Sequence, residues 1–186
     1  MYEYIEKIRK YIKLKYNKEI TILEQDKTFE DYFYTKKVRG KRIGEIYGFP
    51  SVLHSWCNTR LKVNSINEYL KKKGKYISYI GIAADEPKRL KRLKENECSM
   101  LEKWSMTEQD CLEFLKRRNL ENPLYENHKR LGCWFCPKQR IETLKILKNE
   151  YPKLWEKLLQ WQKDSPFPFR MKTTIYDLGR RFTNEK

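Results

Sequence analysis

The stretch Tyr-Ile-Ser-Tyr-Ile-Gly-Ile-Ala-Ala, residues 76–84, decides the fold class. It is rich in β-branched and aromatic residues and apolar enough for a central strand of a parallel sheet. The acidic turn 85–87 ends it. Helical apolar spacing precedes this strand within residues 5–12 and follows it within residues 107–115. Helix and strand in alternation predict an α/β fold with helices packed on a sheet.

Several further elements are expected on either side of this strand. The first helix should end near residues 16–17, and a second strand is expected at 19–23. Helix starts are predicted at residues 28–31, 107–110 and at a capping box over 65–68, and further helices at about 88–94, 138–149 and from 152 onward. Residues 165–169, Ser-Pro-Phe-Pro-Phe, are the one linker-like stretch.

The second feature of the chain is its charge, with 41 Lys and Arg against 25 Asp and Glu, a net charge of +16. A polyanion gains counterion entropy when its phosphates are neutralised, so RNA or DNA is the expected partner. A solvated basic surface is the alternative interpretation. The sequence contains no apolar stretch long enough for a bilayer and no basic amphipathic helix, so we expect no membrane partner. We expect a cytoplasmic location.

The cations are clustered. Residues 36–42 carry five positive charges beside the aromatic residues Tyr32, Tyr34 and Tyr47, a combination that suits single-stranded nucleic acid, with RNA favoured over DNA. A second basic cluster covers residues 88–94. The candidate nucleic-acid contacts of the two clusters are Lys36, Lys37, Arg39, Lys41, Arg42, Lys88, Arg89, Lys91 and Arg92.

The segment Gly132–Pro137 contains a Cys-x-x-Cys pair, Cys133 and Cys136. Such a pair supplies half of a metal or cluster site, or acts as a redox dithiol. The other ligands must come from elsewhere in the chain, which offers Cys57, Cys98, Cys111, His54 and His128. An odd number of cysteines excludes complete disulfide pairing, and the alternative to a metal site is a set of small buried apolar residues.

Four segments in order, residues 56–63, 79–90, 104–111 and 130–137, resemble the phosphoadenosine phosphosulfate reductase family, most closely its bacterial and phage branch near the DNA phosphorothioation enzymes. The resemblance implies an α/β fold with an incomplete doubly wound parallel sheet of the adenine nucleotide α-hydrolase type. On this basis, residues 1–97 are expected to form a truncated α/β core. Residues 98–186 should then form a helical, cysteine-bearing segment packed on it.

The resemblance also implies roles for individual residues. Cys57 stands at the second position of the Cys-Cys pair of the iron–sulfur members, where Trp56 takes the first position. With Cys111 as the fourth ligand, the expected site is Cys57, Cys111, Cys133 and Cys136 around a [4Fe–4S] cluster or a zinc ion, with His128 as an alternative to Cys57 for zinc. Arg60 and Lys62 meet phosphate in a true reductase, and here are expected to contact nucleic-acid phosphate.

Two features of the family are absent from the sequence. There is no Ser-Gly-Gly-x-Asp-Ser type phosphate loop, and residues 179–186 contain no cysteine nucleophile. We therefore expect no ATP binding and favour a protein without catalytic activity.

Three hypotheses for the function follow. The first is a non-catalytic nucleic-acid-binding protein, with structured RNA such as tRNA as a ligand by analogy. The second is a subunit or fragment of a sulfonucleotide reductase or DNA phosphorothioation-type enzyme. The third is an interaction protein, phage-encoded and anti-CRISPR-like, that docks on a host nucleoprotein complex. The first and third are compatible, because nucleic-acid binding can be the means of inhibition.

Overall fold

The structure, a computed structural model, describes residues 2–51, 55–126 and 131–185. Most of its regular structure is helical. The α-helices are α1 Tyr2–Tyr16, α2 Phe29–Tyr34, α3 Trp56–Asn58, α4 Asn64–Lys71, α5 Pro87–Leu90, α6 Met100–Lys103, α7 Glu108–Lys116, α8 Ile141–Glu150, α9 Pro152–Asp164 and α10 Ile175–Asn184. A π-helical turn, Thr59–Val63, joins α3 to α4, and a 3₁₀ turn covers Pro123–Glu126.

The strands confirm a mixed α/β fold with parallel pairing. Strand β1, Ser78–Tyr79, lies parallel to β2, Glu97–Cys98, with Ser78 opposite Glu97. The predicted strand 76–84 is much shorter than expected. Beyond residue 80 the backbone no longer pairs with β2. The Ala84 amide instead donates a hydrogen bond to the Met106 carbonyl at 2.8 Å. A doubly wound sheet is not formed by the described residues.

Three sequence predictions of secondary structure are wrong. Residues 19–23 are exposed and form no strand. Ser65 does not cap a helix, because the chain is already helical from Trp56 onward; its buried hydroxyl instead accepts a hydrogen bond from Gln25 Nε2 at 2.5 Å. The basic helix expected at 88–94 ends at Leu90, after which successive turns lead into β2.

Two helix starts with local capping signals are confirmed. Thr28 and Asp31 form a reciprocal capping box at α2, and Thr107 and Asp110 form the same arrangement at α7. The first helix ends at Tyr16, as predicted, and Asn17 follows in the left-handed region with φ of 49°.

The chain forms two compact units, each built from two segments. Unit 1 contains Met1–Ile22 and Tyr69–Lys129, and unit 2 contains Leu23–Glu68 and Arg130–Lys186. The division expected from the sequence, 1–97 and 98–186, stays a prediction.

Unit 1 holds β1, β2 and a small apolar interior around Ile82, Ala83 and Leu120. The buried Ser99 hydroxyl donates to the Ile82 carbonyl at 2.6 Å. Asp85 follows this segment and accepts a hydrogen bond from the Glu108 amide at 3.0 Å. Asp85 therefore helps to cap α7.

Unit 2 has a larger, aromatic core. The fully buried side chains of Phe33, Leu144, Leu158 and Ile175 come from α2, α8, α9 and the first residue of α10. The Trp161 ring stacks on Phe33 with 5.4 Å between ring centroids. Each large apolar side chain buried in this way contributes about 1.5–3 kcal/mol, so the core fixes the loops that carry the candidate site.

A bilayer crossing needs about 20 consecutive apolar residues in a helix. Across residues 2–51, 55–126 and 131–185, none of the helices meets that requirement of length and apolar character.

Candidate functional site

The basic segment 36–42 lies in an irregular antiparallel hairpin in unit 2. Lys36 forms a bridge with Ile46, and the Lys37 amide donates to the Glu45 carbonyl at 2.9 Å. The Gly44 amide returns a bond of 2.9 Å to the Lys37 carbonyl. We call residues 35–47 the basic hairpin, and residues 38–43 its tip. The tip residues are all exposed, so the predicted basic loop has a defined backbone with an accessible end.

Two of the five cations in the basic hairpin are held by other parts of unit 2. Lys37 Nζ lies 4.4 Å and Arg42 Cζ 4.5 Å from the centroid of the Phe167 ring. Glu45 faces both, with its carboxylate 4.0 Å from Lys37 and 3.8 Å from Arg42. Burial lowers the pKa of the Lys37 ammonium, although the Glu45 carboxylate acts in the opposite direction. These two cations therefore serve the hairpin's own structure.

The other three cations of the hairpin face solvent. Lys36, Arg39 and Lys41 are exposed, and no acidic side chain of the described residues pairs with them. Two apolar side chains accompany them at the tip, Val38 with 81% and Ile43 with 68% of its surface accessible. The tip thus presents unpaired positive charge together with apolar surface.

Arg60, predicted as a phosphate contact, is packed between aromatic rings of unit 2. Its guanidinium lies 5.3 Å from the Tyr32 centroid and 4.9 Å from that of Tyr47, and it donates to the Tyr47 hydroxyl at 2.8 Å. The π-helical turn Thr59–Val63 presents Arg60 to these rings. Arg60 is half-buried, so only part of its guanidinium is accessible to a ligand.

The second basic cluster lies in unit 1. Arg89 forms an ion pair with Glu86 at 2.7 Å on the short helix α5. Lys88, Lys91 and Arg92 are exposed, and none of the described carboxylates pairs with them. This cluster is therefore a second group of accessible cations.

Three of the four predicted metal ligands lie around one cavity in unit 2. The cavity has a volume of about 400 Å³, and Cys57, Cys133 and Cys136 contribute to its wall together with Lys62 and Lys138. Burial raises the pKa of the Cys57 thiol, and the nearby sulfur atoms of Cys136 and Cys133 raise it further. The three thiols are thus close enough to influence one another.

A tight turn presents the Cys-x-x-Cys pair. The Cys136 amide donates to the Cys133 carbonyl at 2.9 Å, and the Gln139 side chain donates to the same carbonyl at 3.0 Å. Burial lowers the pKa of the half-buried Arg170 guanidinium, whereas the nearby Cys136 acts in the opposite direction. The buried Nε atom of Arg170 has no hydrogen-bond partner among the described residues.

Thiols are the soft donors that zinc and iron–sulfur clusters take, so the donor chemistry of Cys57, Cys133 and Cys136 suits such a group. Within the described ranges, no three His, Cys, Asp or Glu side chains are arranged to hold a metal ion. Both histidines, His54 and His128, lie outside those ranges. His128 as a zinc ligand therefore stays a prediction.

The fourth predicted ligand, Cys111, lies on α7 in unit 1. Burial raises the pKa of its thiol, as do the carboxylates of Asp110, Asp85 and Glu108. Cys98 lies on β2. All five cysteines carry free thiols.

Sequence reasoning missed two residues that shape these sites. Phe167, assigned to a linker-like stretch, supports the basic hairpin, and its carbonyl accepts a hydrogen bond from the buried Gln162 side chain at 3.1 Å. The second missed residue is Arg170, which lies close enough to Cys136 for an electrostatic interaction. The alternation of Phe with Pro in 165–169 was the available signal, because two aromatic residues in so short a stretch favour burial over a linker.

Two curated proteins are similar to the chain, and neither has a described function. An uncharacterized protein of Methanocaldococcus jannaschii is 27% identical over 137 residues, which cover 65% of this chain and 28% of that protein. An uncharacterized nin region protein of Escherichia phage lambda is 33% identical over 102 residues, covering 53% of this chain and 34% of that protein. The chain thus spans about a third or less of the length of these relatives. No family model matches the chain, and no solved structure matches it.

Proposed function

We propose that this protein binds nucleic acid, with RNA favoured over DNA, through the basic hairpin. The observation that carries the proposal is the division of the hairpin's cations. Lys37 and Arg42 are engaged with Phe167 and Glu45, whereas Lys36, Arg39 and Lys41 point outward without an acidic partner among the described residues. A cation that has no structural role and no counter-charge is available to a phosphate.

The physical gain comes from counterion release. Each phosphate neutralised by Lys or Arg frees condensed cations into solution, and the net charge of +16 attracts a polyanion. Further exposed cations are Lys88, Lys91 and Arg92 of unit 1 and, separately, Lys62 of unit 2. Arg60 contributes through its place beside Tyr32 and Tyr47.

The evolutionary part of the proposal rests on the sequence resemblance. The chain derives from an enzyme related to the phosphoadenosine phosphosulfate reductases, and its parallel strand pair is the remaining part of a doubly wound sheet. In this proposal the derived protein does not bind ATP and has no catalytic activity. The similarity to a phage lambda protein supports a phage origin. The proposed counter-defence role, in the cytoplasm and against a host nucleoprotein complex, rests on the interpretation of the sequence alone.

The proposal also includes a metal site in the cysteine cavity. Cys57, Cys133 and Cys136 hold a [4Fe–4S] cluster or a zinc ion, with Cys111 as the fourth ligand that the resemblance implies. The group would stabilise the turn at Cys133–Cys136 against the core of unit 2, because metal-binding energy adds to folding energy.

Binding of fluorescent tRNA, total cellular RNA and duplex DNA to the full chain at low salt tests the proposal. We expect RNA to bind more tightly than duplex DNA of equal length. The absorbance ratio at 260 and 280 nm of the purified protein gives a second readout, since co-purified RNA raises it. Absence of binding to all three polymers would overturn the proposal and favour docking on a protein partner.

A second candidate function is that of a subunit or fragment of a sulfonucleotide reductase or DNA phosphorothioation-type enzyme. The cavity favours it, because thiols and the cations Lys62 and Lys138 line the same space. Calorimetric titration with ATP and with adenosine phosphosulfate separates the two candidates. Micromolar binding of either nucleotide supports the enzyme candidate, and no heat of binding leaves nucleic-acid binding as the better account.

A further inference from the structure

The tip of the basic hairpin, with Lys36 just before it, carries exposed cations and exposed apolar side chains close together in sequence. Lys36, Arg39 and Lys41 supply unpaired charge, and Val38 and Ile43 supply accessible apolar surface within the same short segment. Phosphate contacts alone require only the cations. The apolar pair therefore calls for a ligand that has apolar faces next to its phosphates.

Unpaired nucleotides meet this requirement, whereas a duplex keeps most of its base faces stacked inside. We infer that the tip of the basic hairpin binds an unpaired stretch of nucleic acid, with Val38 and Ile43 against base faces and Lys36, Arg39 and Lys41 on the flanking phosphates. This inference rests on the proposed function and names the form of nucleic acid that the site selects.

The anchored half of the hairpin makes this binding possible at low entropic cost. Lys37 lies just before the tip and Arg42 near its end, and both contact Phe167. The backbone bonds between Lys37, Gly44 and Glu45 close the hairpin below the tip. A tip fixed at its base loses less conformational freedom on binding than a free loop.

The test compares wild type with the double variant V38S/I43S, which removes the apolar surface and keeps every charge. The matched control is M171S, a change at a side chain of unit 2 that is 72% accessible and lies outside the hairpin. The probes are a fluorescent 15-nucleotide oligouridine and the same oligouridine annealed to oligoadenine. Circular dichroism melting checks that each variant is folded.

We expect V38S/I43S to bind the single strand about 5- to 10-fold more weakly than wild type, the effect of losing part of the apolar burial of two aliphatic side chains. Its salt dependence should be unchanged, since no cation is lost. Its affinity for the duplex and the affinities of M171S should stay at the wild-type level. Equal affinities of wild type and V38S/I43S for the single strand would overturn the inference, as would an equal loss on single strand and duplex.

The failure of the proposed function gives a different result. If wild type binds neither these probes nor tRNA, total RNA and duplex DNA, nucleic-acid binding itself is excluded, and the inference with it. If wild type binds tRNA but neither probe, the proposed function stands and the inference is excluded. If wild type binds both probes and the double variant changes neither affinity, the proposed function stands and only the role of the tip's apolar pair is excluded.

Discussion

Lys37 Nζ lies 4.4 Å from the centroid of the Phe167 ring. A side chain of the basic hairpin therefore contacts a residue of unit 2 that is distant from it in the sequence. Arg42 contacts the same ring from the other strand of the hairpin. Only 19% of the Lys37 side chain is accessible, so this cation cannot be a main phosphate contact. The Phe167 ring thus supports the side chains of both Lys37 and Arg42.

Removal of this support should loosen the hairpin. Phe167→Ala loses two cation–π contacts worth about 0.5–1 kcal/mol each. The amides of Lys37 and Gly44, which bond across the hairpin, should then exchange about 5- to 30-fold faster. Hydrogen exchange followed by NMR measures this directly. Phe167→Tyr keeps the ring and should exchange at the wild-type rate; unchanged exchange in Phe167→Ala would contradict the role of the ring.

Gly48 should not tolerate a side chain. Its φ is +62°, and a Cβ atom built there would lie 2.6 Å from Ser165 Oγ, where the end of the hairpin meets the segment leading to Phe167. Gly48→Ala should lower the free energy of unfolding by about 1–3 kcal/mol. The matched control is Gly40→Ala at the tip, where φ is +92° and no atom lies within 4 Å. Urea unfolding compares them, and an equal loss in both would exclude a role for the close approach.

The start of α10 should make stability depend on acid pH. Hydrogen bonds from the Thr174 hydroxyl and amide, with the Arg180 guanidinium, lower the pKa of the Asp177 carboxyl to about 2. Since the folded pKa lies below the unfolded value, this stabilisation is complete above about pH 4 and is lost as the pH falls through about 2. Wild type should therefore exceed Asp177→Asn in unfolding free energy at pH 7, and the difference should shrink between pH 4 and 2. A constant difference across this range would contradict the role of the ionised cap.

If the cysteine cavity holds the proposed metal, altering its turn should release that metal. Cys133→Ser and Cys136→Ser should each release zinc or iron and lower the melting temperature, because a structural site contributes several kcal/mol to folding. Cys98→Ser, on β2, should do neither. Metal analysis of anaerobically prepared protein provides the measurement, and absorbance near 400 nm distinguishes an iron–sulfur cluster from zinc.

Two further variants identify the fourth ligand. Cys111→Ser should release the metal if Cys111 binds it, and His128→Ala should do so if the histidine is used. Wild-type protein without zinc or iron would show that Cys57, Cys133 and Cys136 serve only to pack the turn.

The sequence predicted those features that depend on neighbouring residues. Thr28 with Asp31, and Thr107 with Asp110, are local signals, and both form the expected capping boxes. Ser65 carries a similar local signal, but the helix that begins at Trp56 runs through it. The strand expected at 19–23 has favourable composition, yet no neighbouring strand among the described residues pairs with it.

For the candidate site, too, the sequence predicted local features but not contacts between distant segments. The five cations of residues 36–42 are visible in the sequence, but their separation into anchored and free side chains depends on Phe167, which is distant in the chain. Likewise, the packing of Arg60 between Tyr32 and Tyr47 requires the π-helical turn that presents it. Contacts between distant segments are set by the tertiary fold and leave no local pattern.

The slope of log K against log salt for RNA binding tests the central claim most directly. Wild type and the five-fold variant with Ala at Lys36, Lys37, Arg39, Lys41 and Arg42 are titrated with tRNA and a single-stranded RNA. A second variant changes only Lys36, Arg39 and Lys41. At about 0.7 per phosphate on single strands, the loss of Lys36, Arg39 and Lys41 should lower the slope by about 2 units in both variants, because Lys37 and Arg42 are engaged with Phe167 and Glu45. Slopes equal to that of wild type in both variants would contradict the claim and move the interface to Lys88, Arg89, Lys91 and Arg92.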